Sequence, residues 1–256
     1  IKEMAAIITF INEKGGVGKT SACFNSAWEL SRRGKKILMI DMDGQKANLT
    51  FFSGSDGDSD SMKTMADVFK GDTDIKDTIL SVRENLDIIP ADSSMSNLGM
   101  EAKVVKFRKS IAEIAGEYDL IFIDVNPAPG WSHYLSLSVS NWAVIVMLPD
   151  IASLEGNKGI LETIEEIQGT TNPSLRILGF LFNKNNSRTV LAKQVNDAAE
   201  SMAESVGSSL FDTKIRNTVT LSENVIAHVG VTEYAPGSPA AEDISAFADE
   251  MERTLS

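Results

Sequence analysis

The residues best suited to chemistry lie at 12–21, Asn-Glu-Lys-Gly-Gly-Val-Gly-Lys-Thr-Ser. Gly15, Gly16 and Gly18 permit backbone conformations that a side chain forbids. Their N–H groups can converge on phosphate oxygens where a helix begins and its dipole favours negative charge. Lys19 can reach the β- and γ-phosphates of a nucleotide, and the Thr20 hydroxyl can bind Mg²⁺. Val17 and Ser21 complete the set expected around the phosphates. The general phosphate-loop pattern G-x-x-x-x-G-K-[ST] would place its first glycine at position 13, where this chain has Glu13. Lys14, directly before the paired glycines, adds a second cation. Downstream, Asp43 and Asp124 each close an apolar run, which is where an ion or an attacking water near those phosphates would find a carboxylate.

These residues need strands and helices to hold them. Ala5–Ile11 reads as a buried strand and Ala22–Arg33 as the helix after the glycine turn, stopped by Arg32-Arg33-Gly34. Lys36–Ile40, Asn85–Pro90, Tyr118–Asp124, Trp142–Leu148 and Arg176–Asn183 read as further strands. Helices are expected over Thr64–Gly71, over Ser96–Glu117 with Val104, Val105, Ile111 and Ile114 as the buried stripe, after Asp150, and over Pro239–Leu255. In the last, Ile244, Phe247, Met251 and Leu255 share one side; its polar side is acidic, so it should pack on the sheet and not on anionic lipid. Ser53–Ser61 reads as a polar, acidic loop. Alternating strands and helices with no dividing linker predict one α/β domain over residues 1–256, a mostly parallel twisted sheet with helices on both faces.

Composition narrows the function. A hydrophobic fraction of 43% and a charged fraction of 23% are those of an ordinary globular protein. A formal net charge of −12 does not invite nucleic acid, so any DNA contact needs a local basic patch. The single cysteine, Cys23, excludes an internal disulfide framework and reads as a small core residue. No apolar run is long enough to span a bilayer and no secretory leader is visible, so a cytoplasmic location without a membrane partner is expected. Met4 reads as the native start and residues 1–3 as foreign to it. His133 and His228 have no metal-ligand partners at useful spacing.

The run Lys14–Thr20, K-G-G-V-G-K-T, resembles the deviant Walker A motif of the ParA/MinD family of ATPases. That resemblance implies that Lys14 reaches across a dimer interface to the partner's nucleotide. Asp41-Met42-Asp43-Gly44-Gln45 resembles the family's D-x-D-P-Q, which implies that Asp43 orients the attacking water near the magnesium ion. Gly44 stands where relatives have proline, and Lys46 is inserted before Ala47-Asn48-Leu49-Thr50, so slow hydrolysis is expected. Asp124 resembles the Walker B aspartate, with Asn126 replacing the proline that usually follows. Asn183 matches an asparagine that contacts adenine, and Arg216, in Lys-Ile-Arg-Asn, matches a segment bordering it, with Ile215 in place of proline. Competing readings remain a strand-end cap for Asp43 and a turn-former for Asn183.

The resemblance implies a partition ATPase of the short ParA class. ATP and Mg²⁺ would lie between two subunits of a homodimer, the dimer would bind DNA nonspecifically on the nucleoid, and a ParB-like partner would stimulate hydrolysis. Thr220 stands where relatives often carry a DNA-binding arginine; Arg176, Lys184, Arg188, Lys193, Lys214 and Arg216 are the remaining candidates for a basic patch. Two rivals stay open: a switch that positions another cargo, and an ATP-binding scaffold with little hydrolysis.

Overall fold

The computed structural model describes residues 4–55, 62–97, 103–185 and 190–256. Most of the Ser53–Ser61 loop and Arg188 lie outside the described residues. Seven strands form one sheet: β1 (Ala6–Ile11), β2 (Ile37–Met42), β3 (Leu80–Arg83), β4 (Leu86–Ile89), β5 (Leu120–Val125), β6 (Trp142–Met147) and β7 (Arg176–Phe182), in the order β3-β4-β2-β5-β1-β6-β7. All neighbours are parallel except β3 on β4. The inner strands are runs such as Ile-Leu-Met-Ile-Asp-Met, buried at every position, as a sheet covered on both faces requires.

Alternation along each strand divides the interior into two cores. Ile7, Ile11, Ile121, Ile123 and Ile145 face one way, towards the helices α4 (Lys103–Ile114), α5 (Trp131–Val139) and α6 (Ile151–Thr170). Ile8, Phe10, Phe122 and Val144 face the other, towards α1 (Lys19–Arg32) and the terminal helix (Pro239–Leu255). The terminal helix is capped by Ser238, buries Ile244, Phe247 and Met251, half-buries Leu255, and sets Phe247 edge-on to Phe211, as its apolar stripe predicts. Among the described residues, no helix is long and apolar enough to cross a membrane.

Two expectations are corrected, and two elements are added. Val105 is 74% exposed, and Phe107 is buried in its place. A helix that buries Ile111 and Ile114 continues its stripe to 107 and 104, and residue 105 lies about 100° off that line. The described helix runs Lys103–Ile114 and gives way to a 3₁₀ turn at 115–117, and 98–102 of the expected Ser96–Glu117 helix lie outside the described residues. The edge strand β3 and the helix α5 escaped the sequence reading. β3 is short and only half-buried, and α5, Trp-Ser-His-Tyr-Leu-Ser-Leu-Ser-Val, buries serines among its apolar residues, so neither shows a clean period.

The chain runs outward from β1 through β2 and β4, returns at β5, then crosses to the other side of β1 with β6 and β7. The order therefore switches direction at β1, and the crevice at the carboxyl ends of β1, β2 and β5 is where an open α/β sheet accepts a ligand.

Candidate functional site

The glycine turn starts at that crevice. Asn12, directly after β1, donates its side-chain amide to the Val146 carbonyl (2.6 Å) and to Asn157 Oδ1 (3.0 Å). Its own Oδ1 accepts from the Lys14 N–H at 2.7 Å, so the loop is anchored to β6 and α6. Val17 is fully buried and pins the loop's centre to the core. Gly16 and Gly18 have φ of +76° and +90°, the left-handed region where a side chain is strained. Gly18 then opens α1 with no side-chain cap, which leaves the N–H groups of Lys19, Thr20 and Ser21 as the unpaired first turn of a helix. Those donors and the helix dipole make an anion site.

Carboxylates close the other side. β2 and β5 align Asp41 with Asp124. Asp124 is fully buried; its Oδ2 accepts from the Thr20 hydroxyl at 2.7 Å, and its Oδ1 has no hydrogen-bond partner among the described residues. Burial pushes its carboxyl up to about 8, reinforced by the charge of Asp41 and opposed by Lys19 and the Thr20 hydroxyl. Lys19 is buried too, which lowers its pKa against the pull of Asp124 and Asp43. Asp43 accepts on Oδ1 from the N–H groups of Gln45 (3.0 Å) and Lys46 (3.2 Å).

The Thr20 hydroxyl and the Asp124 carboxyl fit a hard divalent cation. The orphan Asp124 oxygen beside a hydroxyl is an oxygen donor set awaiting positive charge. Among the described residues, no group of three or more His, Cys, Asp or Glu side chains could hold an ion by itself, so such an ion would share its ligands with phosphate. Gly15, Gly16, Gly18, Lys19, Thr20 and Asp43 line a cleft of about 480 Å³ large enough for a nucleotide.

The family described as the AAA domain matches residues 5–177. The sporulation initiation inhibitor protein Soj of Bacillus subtilis is 31% identical over 254 residues, covering 97% of this chain and 98% of that one. The chromosome-partitioning ATPase Soj of Thermus thermophilus is 28% identical, covering 95% of this chain and 94% of its own. Among solved structures, the septum site-determining protein MinD complexed with Mg-ADP from Pyrococcus horikoshii superposes with a TM-score of 0.81 at 24% identity, covering 99% of this chain and 98% of its own. The chain belongs to the ParA/MinD family. Members of that family are ATPases, and the fold is that of a P-loop NTPase.

Within this ParA/MinD frame, the remaining expected residues have specific places. Lys14 does not face the cleft: its ammonium lies 3.6 Å from Asp150 Oδ2, at the N-cap of α6, and both side chains are over 40% exposed. Asn183 is buried and donates to the Val17 carbonyl at 2.8 Å, bracing the phosphate loop from β7. Arg216 borders the cleft, but its guanidinium is held by Asp243 (2.8 Å) and Glu242 (3.3 Å). Of the described basic candidates, Lys184 and Arg216 line the cleft together, and Arg176 lies apart from them at the start of β7. Arg176 begins β7 and bonds the Pro173 and Leu175 carbonyls, whereas Lys184 lies beyond the strand's far end. The Lys214 ammonium rests on the Asn196 side chain and the Phe182 ring.

Sequence reasoning missed the braces. Asp41, fully buried, accepts from the Thr50 N–H and hydroxyl, both at 2.8 Å, and from the Asp43 N–H at 2.9 Å. It ties the Ala47–Thr50 segment back to the end of β2 and sets Asp43 in place. Burial raises its carboxyl to about 6. Asn126, standing for the family's proline, accepts on Oδ1 from the Ser132 hydroxyl (2.9 Å), while its carbonyl meets His133 Nε2 at 2.7 Å. That pair of bonds fixes the loop after Asp124 as a proline would. The signal was present in both cases: a polar residue inside or directly after an apolar strand.

Proposed function

We propose that this ParA-type chain is an ATP-driven partition switch. It binds ATP with Mg²⁺ in the cleft, pairs with a second copy of itself over the nucleotide, binds DNA nonspecifically as a dimer, and lets go when a ParB-like partner stimulates hydrolysis. The cytoplasm, on the nucleoid, is the setting this reading implies. The observation that carries it is the buried Asp124 oxygen left unpaired among the described residues beside Thr20 and Lys19, at the mouth of a glycine loop that opens α1 without a side-chain cap.

The roles follow from position. The loop N–H groups and Lys19 hold the phosphates and neutralise charge that develops on them. Thr20 and Asp124, with Asp43 nearby, would hold the magnesium ion, which supplies charge compensation between the phosphates. Asp43, fixed by Asp41 and by two backbone N–H groups, is the acceptor that orients the attacking water. Lys14 has only an exposed pair with Asp150 to break, worth about 1 kcal/mol or less, before it reaches a partner's nucleotide. Asn183 and Arg216 flank the cleft on the side where the base would lie. The loop that carries Gly44 and Lys46 is pinned and not open, yet Asp43 Oδ1 is engaged with its own backbone, which supports slow turnover without a partner.

A second reading, a switch that positions a different cargo, is favoured by one observation. Arg216, one of the described basic candidates, is neutralised by Asp243 and Glu242 in a chain of net charge −12. DNA binding measured with ATP, with ADP and without nucleotide across a salt series separates the two. The partition reading expects affinity only with ATP, falling steeply with salt. ATP-dependent pairing with no DNA affinity at low salt would favour the other cargo.

A further inference from the structure

We propose that Lys46, the residue inserted before Ala47-Asn48-Leu49-Thr50, is a positioning cation for the terminal phosphate of bound ATP, acting within its own subunit. The inference rests on the nucleotide reading above and deepens it.

Charge balance motivates it. The cleft is lined by the buried Asp43 and Lys19, with the buried carboxyl groups of Asp41 and Asp124 at the neighbouring strand ends, so Lys19 is the one buried cation among these described groups. A nucleoside triphosphate adds further negative charge, so the site needs cations that can face the phosphates. In the free subunit Lys14 pairs with Asp150, away from the cleft lining, and Arg216 is engaged by Asp243 and Glu242. Lys46 and Lys184 line the same cleft, and among the described residues neither ammonium makes an ion pair.

Position distinguishes the two. The Lys46 N–H donates to Asp43 Oδ1 at 3.2 Å, so its side chain starts beside the carboxylate assigned to the attacking water, at the terminal-phosphate end. Lys184 follows Asn183, whose side chain braces Val17, and lies towards the base. The insertion is also built in and not slack. Ala47 takes a left-handed φ of +46°, a backbone that alanine adopts only at a cost, and its N–H is held by the Asp43 carbonyl at 2.8 Å. Beyond it, Thr50 is fixed on Asp41. The extra residue thus places a lysine at the rim of the cleft on a loop fixed at both ends.

The test is equilibrium binding of fluorescent ADP and a fluorescent non-hydrolysable ATP analogue, with Mg²⁺, to the full chain and to Lys46→Ala, Lys46→Arg and Lys184→Ala. Loss of a charge-assisted contact to the terminal phosphate weakens the ATP analogue about tenfold in Lys46→Ala and leaves ADP within about twofold. Lys46→Arg keeps most of the affinity, and Lys184→Ala does not discriminate between the nucleotides. Equal effects on both nucleotides in Lys46→Ala, or no effect, overturn the inference while leaving ATP binding intact. An unaltered chain that binds neither nucleotide overturns the nucleotide reading and this inference with it.

Discussion

Replacing Gly18 with alanine loads the phosphate loop with two separate costs. The first is conformational: at φ +90° a β-carbon is strained by about 1–2 kcal/mol. The second is steric, because that β-carbon would lie 2.0 Å from Asn183 Nδ2, a distance no real contact reaches. The Asn183 amide must move, and its 2.8 Å bond to the Val17 carbonyl is lost at about 1 kcal/mol more. The sum, about 2–3 kcal/mol, lowers the thermal midpoint by roughly 5–10 °C for a chain of this length. Asn183→Ala alone loses the same hydrogen bond, about 1 kcal/mol. In Gly18→Ala/Asn183→Ala the bond is lost once and the clash is relieved, so the double variant is more stable than the sum of the single effects by about 1 kcal/mol. Thermal or urea unfolding of the four proteins measures this. Strict additivity would refute the claim that Asn183 braces the phosphate loop.

Two further predictions concern charge. Burial holds the Asp124 and Asp41 carboxyls at about 8 and about 6 in the folded chain, above the ordinary carboxylate value of about 4 in the unfolded one. The folded state therefore binds more protons, and without nucleotide or magnesium its stability falls as pH rises from about 4 to about 8, then levels off. Asp124→Asn flattens that fall in a urea series across the window; an unchanged slope contradicts the assigned cause. The Lys14–Asp150 pair, with both side chains over 40% exposed, adds no more than about 1 kcal/mol, so Lys14→Ala should leave the unfolding midpoint of the single subunit nearly unmoved and abolish ATP-dependent self-association.

What could be read from the sequence was local. The phosphate loop shows itself because Gly15, Gly16, Gly18, Lys19 and Thr20 are consecutive neighbours between a strand run and a helix run. Asp124 was legible because a carboxylate ending an apolar run sits at the carboxyl edge of a parallel strand. The braces were not, because they join residues far apart in the chain. Asn12 meets Asn157 across 145 positions, Asn183 meets Val17 across 166, and Arg216 meets Asp243 across 27. Lys14 illustrates the limit most clearly: its neighbours mark it as chemically special, but only the placement of α6 shows that Asp150 holds it outside the cleft. Val105 was misplaced for a simpler reason: Val104 and Val105 are adjacent, and only the buried line through Phe107, Ile111 and Ile114 decides which of them faces the core.

In the proposed partition switch, nucleotide-dependent pairing of two copies is the step from which DNA binding, the crossing of Lys14 and partner-stimulated release would all follow. Light scattering on the full chain with Mg²⁺ and a non-hydrolysable ATP analogue, with ADP, and without nucleotide measures it directly. The account predicts the mass of two chains with the ATP analogue and of one chain in the other two states. One chain in all three states would contradict it.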